Sequence, residues 1–358
     1  MTNLAGPVLG LETSCDETAA AVVQSGVVLA HRVASQVPIH QRFGGVVPEV
    51  AARNHLLTVL PTLQAVLSDA QLTPQQLSGI ATTNRPGLIG ALLVGVQTAK
   101  ALAWAWQKPL IGVDHIHAHV WASFLRPPTE TATQWPVPRL PFAALAVSGG
   151  HTSLYAVHGA DRFELLGRSL DDAAGEAFDK LAKLLGLPYP GGPNVELAAA
   201  RGDATRFRLP RGMLGRDDGA YSFSGLKTAA RLALEALPPD LGEAERQQAT
   251  DDLCATFQGA VVEQLVRVSL ASAERHGLRD LVLAGGVAAN SALRQGLAEA
   301  CHRKRMRFWP VPPAYCTDNG AMVAGLGEAL LRLGLHDDPR SLDALATGEV
   351  RRLAAAQL

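Results

Sequence analysis

The sequence predicts an α/β protein built from two similar domains, and three observations carry that reading. At 358 residues the chain exceeds what one hydrophobic core usually fills, so two domains with a cleft between them are expected. Apolar β runs alternate with helical patterns, as they do in layered α/β folds that bind ligands at strand ends. A unit of strand, small polar turn and strand occurs twice, as "VLGLETSCDETAAAVVQ" and as "FAALAVSGGHTSLYAVH", which suggests an internal duplication.

Taken in order, "PVLGLE", "AAAVVQ" and "VVLAHRVAS" read as strands. Helical patterns follow over 49–69 and 88–106, then the short strand "LIGV". The apolar window "LIGALLVGVQTAKALAWAW" is interrupted by Gln97, Thr98 and Lys100, which predicts a buried helix and no membrane span. Residues 126–141, "RPPTETATQWPVPRLP", carry five prolines and no apolar periodicity, so they read as a surface linker. The linker sets the boundary between domains expected over 1–130 and 139–310, and the segment 311–358 is expected to return to the cleft. In the second half "FAALAV" and "TSLYAVH" are strands, helices are expected near 169–186, 224–236, 244–276 and 288–304, and "DLVLA" is a strand before the last of these.

Composition narrows the function classes. Apolar residues make up 47% and charged ones 18%, so large cores are available. The net charge of −1 excludes binding nucleic acid by bulk electrostatics, so an RNA partner would be held by a local patch or shared with another subunit, and "HRKRMRF" from residue 302 is the clear basic cluster. Cys15, Cys254, Cys301 and Cys316 form no CxxC pair, which suits a reducing cytoplasm. The start "MTNLAGPVLGLE" has no basic segment followed by an apolar stretch and cleavage site, so no secretory signal is expected.

The stretch "DHIHAHV" places Asp114 as a helix N-cap and puts His115 and His119 four apart on one helix face, the spacing two imidazoles need to share an ion. His117 points elsewhere. The zinc-peptidase pattern HExxH has the same pair, but its general base follows the first histidine, where this chain has Ile116. The bland alternative is a set of capped or surface histidines. Asp318, in the polar turn of "YCTDNGAMVA", is a possible third ligand or simply an N-cap. Two histidines and a carboxylate would suit Fe(II) or Zn(II) with positions left for a substrate oxygen.

Two glycine turns offer anion sites. In "AVSGGHT" the backbone amides at Gly149 and Gly150 and the hydroxyls of Ser148 and Thr152 suit an anion, although a tight hairpin needs the same glycines. In "LVLAGGVAAN" a buried strand, Gly285–Gly286 and a helix start favour phosphate or a nucleoside, with Asn290 either a ligand or a local cap. Ser169 and Asp172 form a capping-box pattern. Asp179 lies off the apolar stripe of that helix, where an exposed pair with Lys183 is the simplest role. "YPGGP" bends sharply, and Gly191 and Gly192 would let backbone meet a ligand. The acidic turn "ETSCDET" offers Glu12, Asp16 and Glu17 as site groups or as a soluble hairpin.

In combination these stretches resemble the TsaD family of tRNA threonylcarbamoyl-adenosine synthesis, formerly called glycoproteases. The resemblance runs through "ETSCDET", "GGVVPEVAARNH", "SGGHTSL", "DDAAGEAFDKLAKLLGLPYPGGP", "YSFSGLKTA", "LAGGVAANSALR" and "YCTDNGAMVA". It implies two related actin-like, Hsp70-like and sugar-kinase-like domains around a central cleft. It implies transfer of threonylcarbamoyl from threonylcarbamoyl-AMP to the exocyclic amine of adenosine 37, in tRNAs reading codons that begin with A. By motif, His115, His119 and Asp318 would hold one divalent ion, Fe(2+) or Zn(2+). Val147, Ser148, Gly149, Gly150, His151, Asp179, Gly192 and Asn290 would hold the adenylate. A TsaB-like scaffold and a TsaE-like ATPase are the implied partners. The rival readings are a metallopeptidase, a non-catalytic scaffold of the same fold and an ATPase.

Overall fold

The computed structural model describes residues 6–129, 135–212 and 218–347, so residues 130–134 of the expected linker, with the boundary at 130, and the stretch from 348 to 358 lie outside the described residues. The first half builds β1 (Val8–Glu12), β2 (Glu17–Gln24) and β3 (Val27–Ser35), a short α1 (Val37–His40), α2 (Pro48–Asp69), β4 (Gly79–Arg85), α3 (Ile89–Trp106), β5 (Leu110–Asp114) and α4 (His115–Trp121). The second half builds β6 (Phe142–Val147), β7 (Thr152–Gly159), β8 (Arg162–Arg168), α5 (Ala174–Leu184), α6 (Gly191–Ala199), α7 (Ser224–Glu235), α8 (Glu243–Arg275), β9 (Asp280–Ala284), α9 (Ser291–Arg303), β10 (Arg307–Pro310) and α10 (Gly320–Arg332).

The two sheets run β3-β2-β1-β4-β5 and β10-β9-β6-β7-β8. Read from β8 to β10, the second repeats the first strand for strand. In each, the first three strands pair antiparallel and the last two add in parallel. The suspected duplication is thus visible as topology. β1 and β6 sit at the centres and are buried throughout, as strands covered on both faces must be.

The halves are knit by α4 and α10. Helix α10 follows Asp318 and packs back on β1, β2 and β4 of the first sheet. The approach is close: a Cβ at Gly320 would lie 2.4 Å from the Ala20 carbonyl carbon, and one at Gly327 would lie 2.2 Å from the Ala81 Cβ. Helix α4 touches β5, β6, β9 and α10, so its histidines stand where the sheets meet.

Helix α3 is long and apolar enough to cross a membrane by length and composition, but it is not the buried helix the sequence suggests. Ala91, Leu92, Val96, Ala99 and Ala103 face the core, while Ile89, Leu93 and Trp104 are exposed. The expected helix from 169 also starts later, at Ala174. Ser169 is no cap: its amide bonds the Thr152 carbonyl at 2.9 Å, its hydroxyl donates to the Asp172 carbonyl, and Asp172 instead receives Lys180 at 2.5 Å.

Candidate metal centre

Asp114 ends β5, and its Oδ1 accepts from the amides of Ile116 at 2.9 Å and His117 at 3.2 Å, which starts α4 at the expected place. One helical turn then brings His115 and His119 onto the same face with ring centroids 4.6 Å apart. Asp318, from the turn before α10, completes the group: its Oδ1 lies 3.0 Å from His119 Nε2 and 3.5 Å from His115 Nε2. One ligand atom from each of the three lies within 4.8 Å of the others. Atoms sharing one ion at about 2.0–2.2 Å stand roughly 3–3.6 Å apart, so the spacing and the mixed imidazole and carboxylate set fit a divalent transition metal. Ile116 is buried, which fills the position of a peptidase base with an apolar side chain.

The electrostatics follow from crowding charges in a dry place. Burial works against a charged His115, but Asp318 and Glu12 outweigh it and hold its pKa up at about 9. Burial opposes the charge of Asp318 as well, and His115 and His119 overcome it, keeping its carboxyl well below the usual range. Glu17 goes the other way: burial first, then Asp318 and Asp16, push its carboxyl up to about 9. Cys15 lies in the same turn, and its thiol is raised far above its ordinary value by burial and by Asp16.

His117 leaves the centre altogether. It stacks on Phe163 of β8 at 4.0 Å with 6° between planes, and meets Tyr155 of β7 edge-on at 5.4 Å. It pins α4 to the second sheet.

The glycine turns follow β6 and β9, the two strands of the second sheet that α4 touches. In the turn from 148 to 151, the Ser148 amide donates to the His151 carbonyl at 2.8 Å, and the His151 amide donates to Ser148 Oγ at 3.2 Å. His151 closes that turn, and its pKa is held below the ordinary value first by burial and then by the charges of His115 and His119. Gly149, Gly150, Gly192 and Gly286 all face open space, since a Cβ on any of them would meet nothing within 4 Å. Gly285 does the opposite. Its φ of +91° and a hypothetical Cβ only 2.4 Å from the Val147 carbonyl oxygen lock the two turns together.

Asp179 makes no exposed pair with Lys183. It reaches back to the "YPGGP" turn, where Oδ1 accepts the Gly191 amide at 2.8 Å, and burial raises its pKa despite that bond. Asn290 caps α9 through the Leu293 amide at 2.9 Å and donates to Gln258 Oε1 at 2.8 Å. The basic cluster is largely neutralised: Arg303 lies 3.8 Å from Glu299, Lys304 lies 2.7 Å from Glu274, and Arg307 binds the buried Asp280.

Glu12 is the group whose importance the sequence left open. It is fully buried, and its Oε2 lies 3.1 Å from His115 Nδ1. Thr83, its other side-chain partner, sits at the end of a strand that periodicity does not announce.

A mixed five-stranded sheet that occurs twice with the same strand order is the fold of the two-domain class of actin-like, Hsp70-like and sugar-kinase-like proteins. T.kodakarensis HypF has this fold over 92% of the chain and 48% of its own length, with TM-score 0.62 at 13% identity. The family model described as tRNA N6-adenosine threonylcarbamoyltransferase matches residues 27–325, and the chain belongs to this family, TsaD. The protein of that name from Anaeromyxobacter sp. (strain Fw109-5) is 50% identical over 330 residues, 91% of this chain and 95% of its own. Its namesake from Symbiobacterium thermophilum is 48% identical over 336 residues, 93% and 94% of the two chains.

Proposed function

We propose that this chain transfers the threonylcarbamoyl group from threonylcarbamoyl-AMP to the exocyclic amine of adenosine 37 in tRNAs reading codons that begin with A. His115, His119 and Asp318 hold one Fe(2+) or Zn(2+), and Val147, Ser148, Gly149, Gly150, His151, Asp179, Gly192 and Asn290 form the adenylate site. The observation that carries this is that the three metal-type ligands gather at α4, which packs on β6, the strand that runs directly into the open Gly149–Gly150 turn. The domains run over 1–130 and 139–310, with 311–358 bringing Asp318 to the cleft.

An acyl-adenylate already has a good leaving group. The amine nitrogen forms a bond to the carbamoyl carbon, the bond from that carbon to the phosphate oxygen breaks, the proton the amine gives up passes to water or to the departing phosphate, and AMP leaves. A divalent ion in this site supplies Lewis-acid polarisation of a carbonyl or phosphate oxygen. The chain's own part is to place the reactants. Amides at Gly149, Gly150 and Gly286 line the anion path, and Asp179 fixes the turn that presents Gly192. The transfer is direct: Cys15, the thiol in the adjacent turn, is held protonated by burial and by Asp16, so it is a poor acyl acceptor. A threonylcarbamoylated side chain trapped during turnover would contradict this.

A TsaB-like scaffold and a TsaE-like ATPase serve as partners in the cytoplasm. The free state of Cys15, Cys254, Cys301 and Cys316 supports the compartment. The exposed apolar residues on α2 and α3 support the scaffold.

The test is nucleoside mass spectrometry of unmodified tRNA incubated with the protein, its partners and threonylcarbamoyl-AMP. Threonylcarbamoyl-adenosine is expected with the unaltered chain, and roughly 100-fold less or none with His119→Ala or after chelation. Product formation undiminished in both of those samples would overturn the metal assignment.

A further inference from the structure

We propose that Glu12 is a positioning residue, which sets the ring orientation and tautomer of His115 for metal binding; this rests on the metal reading above. Glu12 closes β1, and its side chain is fully buried. A carboxylate removed from water is costly unless its oxygens are filled by donors. Here Oε1 accepts the Ser14 amide at 2.5 Å, while Oε2 accepts the Thr83 hydroxyl at 2.6 Å and lies 3.1 Å from His115 Nδ1. No lysine or arginine is among these partners, so the imidazole is the one group of opposite charge type that Glu12 addresses directly.

The geometry has a consequence for the other ring nitrogen. His115 Nδ1 has two neighbours at 3.1 Å, Glu12 Oε2 and Ser14 Oγ; the hydroxyl can donate or accept but the carboxylate only accepts, so Glu12 favours the tautomer with the hydrogen on Nδ1 and the lone pair on Nε2, on the side where Asp318 Oδ1 stands 3.5 Å away. His119 lacks this support. Its Nδ1 is buried and has no hydrogen-bond partner among the described residues. One imidazole of the pair is therefore held by the framework, and the other is held only through what it shares with Asp318.

The frame holding Glu12 is stiff. A Cβ at Gly87 would lie 2.6 Å from the Ser14 carbonyl oxygen, and one at Gly95 would lie 2.4 Å from Thr13 Oγ1, so α3 and the segment before it pack directly on the turn after Glu12. Thr83 is fixed in β4 opposite Val113, the residue before the metal helix's N-cap Asp114. The carboxylate thus ties the central strand, its neighbour and the first ligand into one unit, the arrangement that orients a ligand before the ion arrives.

The test is Zn(2+) uptake by the full chain, measured by competition with a chromophoric chelator. The unaltered protein is compared with His119→Ala, Glu12→Gln and Thr83→Val, and each metal-free protein is melted beside it. Glu12→Gln is expected to weaken Zn(2+) binding roughly 10–100-fold, and Thr83→Val to weaken it less, with metal-free melting temperatures near that of the unaltered chain. Affinity within twofold of the unaltered chain in Glu12→Gln overturns the assignment. So does a loss of affinity matched by a collapse of metal-free melting, which would make the role structural. If Glu12→Gln does not fold, Thr83→Val decides, and an unchanged affinity there overturns the proposal. An unaltered chain that takes up no Zn(2+) defeats the metal reading itself, and with it this inference, before any variant is compared.

Discussion

Single residues near the centre divide by what they touch rather than by type. Three histidines within five positions look equivalent in sequence, yet two face Asp318 and the third stacks on Phe163 at 4.0 Å. The separation of roles was legible because helical spacing of four puts side chains on one face and spacing of two does not. His117→Ala should therefore leave metal stoichiometry unchanged while costing about 1–3 kcal/mol of stability from the lost stacking and packing. Metal content measured with melting checks this, and a lost metal equivalent would return His117 to the ligand set. Asp318 was less legible: it bonds His119 across 199 residues of sequence, and no local pattern encodes such a contact. Asp179 misled the reading for the same reason, since its partner is a backbone amide in a turn twelve residues on and not the lysine four residues on.

Among the elements, those with clean periodicity were read closely, as α7, α8 and β9 show. Strand β4 is not among the expected strands because its later half is polar: Thr82, Thr83 and Asn84 give no apolar alternation, yet all three are buried and Thr83 bonds Glu12. The start of α5 was placed early because Ser169 and Asp172 imitate a cap. The real carboxylate cap in this region belongs to α7, where Asp171 Oδ1 accepts the amides of Phe223 at 2.8 Å and Ser224 at 3.3 Å, and its other oxygen receives two serine hydroxyls. Partial burial opposes the Asp171 charge, but these donors outweigh it and hold its pKa below the ordinary 3.8. A depressed carboxylate stabilises the fold above its unfolded pKa and loses that contribution as pH falls through the folded value. Asp171 is largely exposed and water screens these bonds, so Asp171→Ala should cost only about 0.5 kcal/mol at neutral pH, and the difference should vanish in melts carried well below pH 3.8. A gap that persists there would assign the loss to packing. Gly285 is the stricter case. Gly285→Ala forces a side chain into φ +91° and against the Val147 carbonyl, so a loss of about 1–3 kcal/mol is expected together with weaker AMP binding by calorimetry.

At the scale of the whole molecule, a near-neutral chain must engage a polyanion, and in the basic cluster from residue 302 the charges of Arg303, Lys304 and Arg307 are paired with Glu299, Glu274 and Asp280. What the surface does offer is apolar. Leu56, Leu57 and Leu60 on α2 are 65%, 74% and 53% exposed, and Trp104 on the adjoining α3 is 73% exposed. Leaving such residues in water is unfavourable, and large exposed apolar patches mark association surfaces. The same helices are fastened to the site from within: His55, one residue before Leu56, bonds the Cys15 carbonyl at 3.0 Å through Nε2 and Thr18 at 2.7 Å through Nδ1. A partner seated on α2 would therefore cover the apolar side chains while bearing on the turn that follows Glu12. Composition alone could not disclose this, because an apolar helix face reads the same whether it meets the chain's own sheet or another protein. Leu57→Glu combined with Trp104→Glu should weaken binding of the TsaB-like scaffold by roughly 30-fold or more in analytical ultracentrifugation, because a carboxylate would have to be buried at each position. Zn(2+) uptake by the doubly substituted chain should be unchanged, since neither side chain reaches the metal centre. If the complex forms undiminished, the scaffold docks elsewhere, and the apolar faces of α2 and α3 must be matched to a different partner, for which self-association of the unaltered chain in the same experiment is the direct sign.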